Sequence, residues 1–120
     1  MITLVIPEAS PSLNDLKGKH WSHHHRLRQH WSMLVLIAKN EARIPMGSPF
    51  EKTTLKITRE GRRLLDTDNL WGGTKILTDS LREQNLIVDD DPAHLTLNVE
   101  QRQIPKSSYP RTLIEISTGG

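Results

Sequence analysis

Hydrophobic and polar positions alternate in four short segments of the chain and recur at helical spacing in two longer ones. The four alternating segments predict strands at residues 2–6, 53–59, 95–101 and 112–117. Apolar residues at steps of three and four predict helices from about residue 22 to 43 and over much of 69 to 84. The predicted order β-α-β-α-β-β indicates an α+β fold, with a small mixed sheet, two helices and a C-terminal hairpin.

The ends of both helices also carry sequence signals. Ser22 is placed to cap the first helix, and Pro45 lies just beyond its end. In the second helix, Gly72 and Gly73 would each cost roughly 1 kcal/mol in a helix interior. We therefore expect the regular helix to begin near Thr74, with residues 70–73 irregular.

Length and composition exclude several classes of protein. The 120 residues suit a single domain, and no apolar run is long enough to span a membrane. The opening segment lacks a basic region and predicts a strand rather than a signal peptide. The chain has no cysteine, which excludes disulfides and thiolate metal sites and fits a cytoplasmic protein. Because it has no glycine-rich phosphate loop, we expect no nucleotide cofactor.

Acidic side chains are concentrated in the middle of the chain. Residues 66–91 contain seven acids and two bases, a net charge of −5, whereas the rest has a net charge of +7. Ordinary solvated charge is the alternative for a small domain. The clustering favours a basic frame that binds a polyanion around an acidic centre that binds cations.

The acids form two groups, Asp66 with Asp68 and the run Asp89-Asp90-Asp91. Carboxylates this close repel one another unless a cation lies between them, and Mg²⁺ or Mn²⁺ prefers oxygen ligands. The alternative is that Asp68 caps the second helix and Asp66 is a turn carboxylate. A chain reversal after the second helix would bring Asp90 beside them, around one or two metal ions suited to phosphodiester hydrolysis.

Basic side chains near the acids are candidates for binding phosphate. Lys75 could stabilise transition-state charge or hold the attacking water, or be a surface lysine paired with Asp79. The candidate contacts to the DNA backbone are Arg59, Arg62, Arg63, Lys17, Lys19 and Arg26. Each is equally compatible with a solvated surface. His20 and His24 have helical spacing, but a zinc site is a minor alternative because no glutamate follows the first histidine.

Several motifs together resemble the RusA family of Holliday-junction resolvases, small endonucleases associated with prophages. The similar residues are Asp66-Thr67-Asp68-Asn69-Leu70, Lys75, Asp79-Ser80-Leu81 and Asp89-Asp90, with Pro11-Ser12-Leu13-Asn14 and His20-Trp21 near the start. The resemblance covers essentially the whole chain. It implies that Asp66, Asp68 and Asp90 are metal ligands, that Lys75 is the catalytic lysine, and that a homodimer nicks four-way DNA junctions with Mg²⁺ or Mn²⁺.

Two departures from the family pattern bear on these roles. The tripeptide Trp71-Gly72-Gly73 lengthens the spacing before Lys75, so Lys75 reaches the site only if the extra residues form a local bulge. The acidic run has three members, so the ligand could also be Asp89 or Asp91. The resulting hypothesis is a metal-dependent junction endonuclease acting in DNA recombination and repair. The alternatives are a metal-dependent phosphohydrolase with another substrate and a junction-binding protein that does not cut.

Overall fold

The computed structural model describes residues 1–16, 18, 20–44 and 51–118. The α+β class and the element order β-α-β-α-β-β are confirmed, with one additional short 3-10 helix near the start. The elements are β1 (Ile2–Ile6), the 3-10 helix (Leu13–Asp15), α1 (Trp21–Glu41), β2 (Thr53–Gly61), α2 (Thr67–Glu83), β3 (Leu95–Gln103) and β4 (Arg111–Thr118).

The four strands form one mixed sheet in the order β1-β4-β2-β3. β2 and β3 are parallel and are connected through α2, whereas β4 runs antiparallel to both of its neighbours, β1 and β2. Both C-terminal strands form as expected, but they do not make a hairpin, because β2 lies between them. β2 is buried along almost its whole length and takes the central position, where it needs a partner on each side.

The core lies between one face of the sheet and the two helices. Paired strand residues such as Leu4 with Ile114 and Ile57 with Ile114 point to this face. The helices contribute buried side chains to the same cluster, including Trp31, Val35, Ala38, Leu77 and Leu81. Burial of each large aliphatic side chain contributes about 1.5–3 kcal/mol. Among the described residues, no helix is long and apolar enough to cross a membrane.

α1 begins at Trp21, and its N-cap lies two residues before the predicted cap, Ser22. His20 is the N-cap, and its ring Nδ1 lies 3.1 Å from the backbone nitrogen of Ser22, which donates to it. The prediction that Ser22 caps the helix was therefore wrong. The helix ends before Arg43, whose backbone has φ of 55°, a conformation that stops helical hydrogen bonding. The predicted stop at Pro45 lies outside the described residues.

α2 continues without interruption through the two glycines, so the expected irregular segment and local bulge are absent. A neighbouring segment of the chain leaves no room for a side chain at either glycine. A Cβ atom on Gly73 would lie 1.7 Å from the carbonyl oxygen of Pro11, and one on Gly72 would lie 2.8 Å from Leu13. The glycines thus allow the segment before the 3-10 helix to lie directly against α2, a tertiary contact that helix propensity does not reveal.

We predict that Gly73→Ala destabilises the protein by about 1–3 kcal/mol, since the added methyl group meets a backbone carbonyl that cannot rotate away. In an open helix the same change would stabilise by roughly 1 kcal/mol. Gly72→Ala is the matched comparison and should cost less, because the Leu13 side chain can move. Urea unfolding of the three proteins measures the difference. A Gly73→Ala variant as stable as the original would contradict this packing.

Candidate functional site

The first acidic group lies at the N-terminus of α2. Asp66 is the N-cap, and its two carboxylate oxygens accept from the backbone nitrogen and the side-chain amide of Asn69, both at 2.9 Å. The Asn69 Oδ1 in turn accepts from the backbone nitrogen of Asn14 at 3.1 Å. Asp68 was the expected cap, but it lies in the first turn and is exposed. Within the described part of the chain, its carboxylate has no hydrogen-bond or ion-pair partner.

Asp66 and Asp68 line a shared open cleft of about 440 Å³, whose walls are Leu13, Asn14, Asp66, Thr67, Asp68 and Asn69. The partial positive charge of the helix N-terminus attracts both carboxylates. That partial charge does not neutralise two full negative charges. The cleft therefore presents oxygen atoms and excess negative charge to solvent, which suits a hydrated divalent cation.

The second acidic group packs beside Lys75, further along the same helix. Asp68 and Lys75 are seven residues apart, which places them on the same face of α2, about 10 Å apart along its axis. The Lys75 Nζ lies 2.5 Å from Asp90 Oδ2 and 3.2 Å from Asp79 Oδ1. Arg82 continues the cluster, with 3.2 Å to Asp89 and 3.3 Å to Asp79. Asp79, Asp89 and Asp90 thus each form an ion pair with at least one of two bases of α2.

The Lys75–Asp90 pair shifts the protonation of both groups. The hydrogen bond to Asp90 raises the pKa of Lys75 above 10.5, with Asp79 adding to the effect and partial burial opposing it. The hydrogen bond from Lys75 lowers the pKa of Asp90 below 3.8, and partial burial again opposes the shift. With these shifts, Lys75 is an ammonium and Asp90 is a carboxylate at neutral pH.

The three consecutive aspartates have three different sets of contacts. Asp91 accepts from the backbone nitrogens of Ala93 and His94 and from the His94 ring, at 2.7–3.1 Å. The hydrogen bond from His94 lowers the pKa of Asp91. Asp89 accepts from Arg82 and from the backbone nitrogen of Asp90. Asp90 is the member of the run that contacts Lys75, whereas Asp91 closes the turn before β3.

The proposed metal ligands are only partly brought together. In the part of the chain that the structure describes, no three acidic or histidine side chains form a group that could hold a metal ion. Asp90 is occupied by Lys75 rather than grouped with Asp66 and Asp68. The pair Asp66 and Asp68 nevertheless fits Mg²⁺, which commonly binds through one or two carboxylates and completes its shell with water and substrate oxygens.

The basic candidates differ in their freedom to bind a ligand. Arg59 is half-buried and donates to the carbonyl oxygens of Ser10 (2.8 Å) and Arg63 (3.1 Å), which makes it a structural residue. Burial lowers the pKa of Arg59, although Asp15 opposes the shift. Arg62 donates to the Ser108 carbonyl at 3.1 Å and remains exposed.

The remaining basic candidates are Arg63 and Arg26, both exposed, and Lys17 and Lys19, which lie outside the described residues. The exposed guanidinium groups of Arg63 and Arg26 have no protein partner among the described residues. They are therefore available to an anionic ligand at no cost in internal contacts. The structure thus separates Arg59, whose donors are satisfied internally, from the bases that remain open to a ligand.

Sequence reasoning missed Asn14 and Asn69 as parts of the site. Both line the cleft, and their mutual hydrogen bond joins the N-terminal segment to the first turn of α2. The position of Asn69 directly after Asp66-Thr67-Asp68 was the available signal in the sequence. Its partner, Asn14, is 55 residues away in the chain. The histidines of α1 make other contacts, such as His30 with Glu8 at 2.8 Å.

We predict that Lys75→Met raises the pKa of Asp90 toward 3.8, because the main cause of its depression is removed. In the original protein, the pair's contribution to stability is lost as pH falls through the lowered pKa of Asp90. It is also lost as pH rises through the raised pKa of Lys75. An NMR titration of side-chain carboxyl carbons measures the shift. Lys56→Met, which removes the 3.5 Å pair with Glu100, is the control and should leave Asp90 unchanged. An unchanged Asp90 in Lys75→Met would contradict the assignment.

Comparison with known proteins adds no relative. No family model and no curated protein matches the chain. Functional assignment therefore depends on the contacts described above and on the motif resemblance carried by Asp66, Asp68, Lys75 and Asp90. Of these four, Asp66 and Asp68 share a cleft and Lys75 contacts Asp90.

Proposed function

We propose that this protein is a metal-dependent endonuclease that resolves four-way DNA junctions by paired hydrolysis of phosphodiester bonds. The observation that carries the proposal is the arrangement on α2. Its first turn presents the carboxylates of Asp66 and Asp68 in one cleft, and an exposed lysine lies two turns further along the same face. Oxygen ligands beside a fixed positive charge are what a metal-assisted displacement at phosphorus needs.

In this proposal, Asp66 and Asp68 hold Mg²⁺ or Mn²⁺, which would activate water and neutralise charge on the phosphate. Asn69 fixes the orientation of Asp66 through its two hydrogen bonds. Lys75 would supply a permanent positive charge on the same face of α2, about 10 Å along the axis from Asp68, and Asp90 positions its ammonium group. The motif resemblance adds Asp90 as a third metal ligand, a role that would require it to leave Lys75.

The choice of DNA as substrate is supported by charge. The chain outside residues 66–91 has a net charge of +7, and the exposed Arg62 and Arg63 precede Asp66 by four and three residues. A phosphate backbone held there would continue toward the cleft. The four-way junction is inferred from the motif resemblance alone. The absence of cysteine agrees with a reducing compartment, and we include a cytoplasmic location in the proposal.

A second candidate function is a junction-binding protein that does not cut DNA. It is favoured by one observation, the failure of the described acids to form a group of three. Such a protein would use the basic frame alone. A cleavage assay with labelled four-way junction and linear duplex, with and without Mg²⁺, separates the two functions.

We predict that Asp68→Asn lowers Mg²⁺-dependent junction cleavage by roughly 100- to 1,000-fold, as for loss of one group that stabilises transition-state charge. Junction binding without metal should be kept or slightly tightened, because one negative charge near the phosphates is removed. Single-turnover cleavage and gel-shift titration measure the two effects.

The matched control for this variant is Glu41→Gln, an equal change of charge at the exposed end of α1. It should leave both cleavage and binding unchanged. Normal Mg²⁺-dependent cleavage by Asp68→Asn would contradict the role of the cleft. Loss of cleavage in both variants would show a general effect of charge rather than a metal site.

We also predict a homodimer, because each chain offers one cleft and resolution of a junction takes two symmetric cuts. Sedimentation velocity should give a mass of twice the 13.7 kDa of one chain without DNA, and two chains per junction with DNA. A monomer under both conditions would contradict paired cleavage. It would leave the metal-dependent hydrolase itself unaffected.

A further inference from the structure

The segment between β3 and β4, residues 104–110, holds an aromatic side chain in solvent. We name this segment the tyrosine loop. Tyr109 is 87% exposed, and among the described residues its ring and hydroxyl have no hydrogen-bond or stacking partner. An exposed ring without a contact leaves both of its faces open to stack on a planar ligand such as a nucleic-acid base.

The tyrosine loop is held in place on both sides of Tyr109. Its first part is a turn in which the Ser108 nitrogen donates to the Pro105 carbonyl at 3.0 Å. The Ser108 carbonyl accepts from Arg62, and Pro110 restricts the backbone immediately after the tyrosine. The ring is thus presented from a supported backbone, which lowers the entropy lost when it binds a partner.

Positive charge surrounds the tyrosine loop. Arg102 and Arg111, at its two ends, flank Glu60 of the central strand, whose side chain is 8% exposed. Their own side chains remain 64% and 47% exposed. Five cations lie near this end of the sheet, and Glu60 pairs with two of them, Arg102 and Arg111. The five are Arg62, Arg63, Arg102, Lys106 and Arg111. The excess positive charge favours a polyanion.

We propose that the tyrosine loop binds DNA at a branch point, with its basic neighbours on the phosphates and Tyr109 stacked on an unpaired base. Stacking needs one exposed ring, whereas a protein partner would need several contiguous apolar side chains. The three residues before Tyr109 are instead Lys106, Ser107 and Ser108. A branch point interrupts the base stack and exposes base faces that a continuous duplex keeps covered.

The tyrosine loop lies at the end of the sheet that leads into the cleft. The Ile104 nitrogen donates to the Gly61 carbonyl at 2.9 Å, at the point where β2 ends. Arg62, which holds Ser108, precedes Asp66 by four residues and so lies within about 14 Å of it. A DNA strand bound by the tyrosine loop can therefore extend to the carboxylates of Asp66 and Asp68. This inference rests on the proposed function and gives the nuclease a means of recognising branches.

The test measures DNA binding without divalent metal, so that it does not depend on cleavage. The probes are a four-way junction with unpaired thymines at its centre and a linear duplex of the same length. Tyr109→Ala should weaken junction binding roughly 5- to 100-fold, the range expected for loss of one base–aromatic stack, and leave duplex binding unchanged. Tyr109→Phe keeps the ring and should bind as the original protein does.

A second measurement tests the stack and the charges directly. A 2-aminopurine at the branch point should be quenched by the original protein and by Tyr109→Phe but not by Tyr109→Ala. Lys106→Ala should lower the salt dependence of binding by about one phosphate contact. The control is Lys52→Ala, which changes an exposed lysine at the far end of β2 and should have no effect.

Equal junction binding by Tyr109→Ala and the original protein would overturn the inference, as would an equal loss on duplex. An original protein that binds no DNA would overturn both the inference and the proposed function. Binding with the expected Tyr109 dependence but without Mg²⁺-dependent cleavage would overturn the nuclease alone.

Discussion

The contact between the Pro11 carbonyl and Gly73 determines where the candidate site forms. It brings the N-terminal segment against α2 so closely that no Cβ fits between them. The neighbouring residues then take fixed partners, with the Ser10 carbonyl accepting from Arg59 and the Asn14 nitrogen donating to Asn69. Because Asn69 also binds Asp66, the orientation of the first carboxylate depends on packing seven residues further along the helix.

The two acidic groups at and beside α2 differ in what offsets their charge repulsion. Asp79, Asp89 and Asp90 each form an ion pair with Lys75 or Arg82, so each of these acids has a cationic partner within the chain. Among the described residues, Asp66 and Asp68 have only the helix N-terminus and amide donors to oppose their charge. A bound cation would therefore stabilise the pair Asp66 and Asp68 more than the acids beside Lys75 and Arg82. This difference in partners, rather than the number of acids, indicates where a metal ion would bind.

Sequence periodicity predicted the strands and the order of elements because it reports which residues face the core. It did not predict which strands pair, since β4 could pair with either β2 or β3 without changing its alternation. The glycines of α2 were misinterpreted because their cost in an isolated helix is local, whereas their benefit comes from Pro11, about sixty residues earlier in the sequence. Arg59 looked like a phosphate ligand for the same reason, as its carbonyl acceptors are set by the fold.

Within the proposed function, the separation of the two acidic groups has an energetic consequence. An empty cleft with Asp66 and Asp68 repels DNA phosphates, while the basic side chains at the end of the sheet attract them. A divalent cation removes the repulsion, so metal and phosphate each raise the affinity of the other by the same factor. Lys75 cannot substitute for the cation at the cleft, because Asp90 and Asp79 hold its ammonium group. The chain thus keeps its positive charge close to the cleft without cancelling the negative charge that would attract the metal.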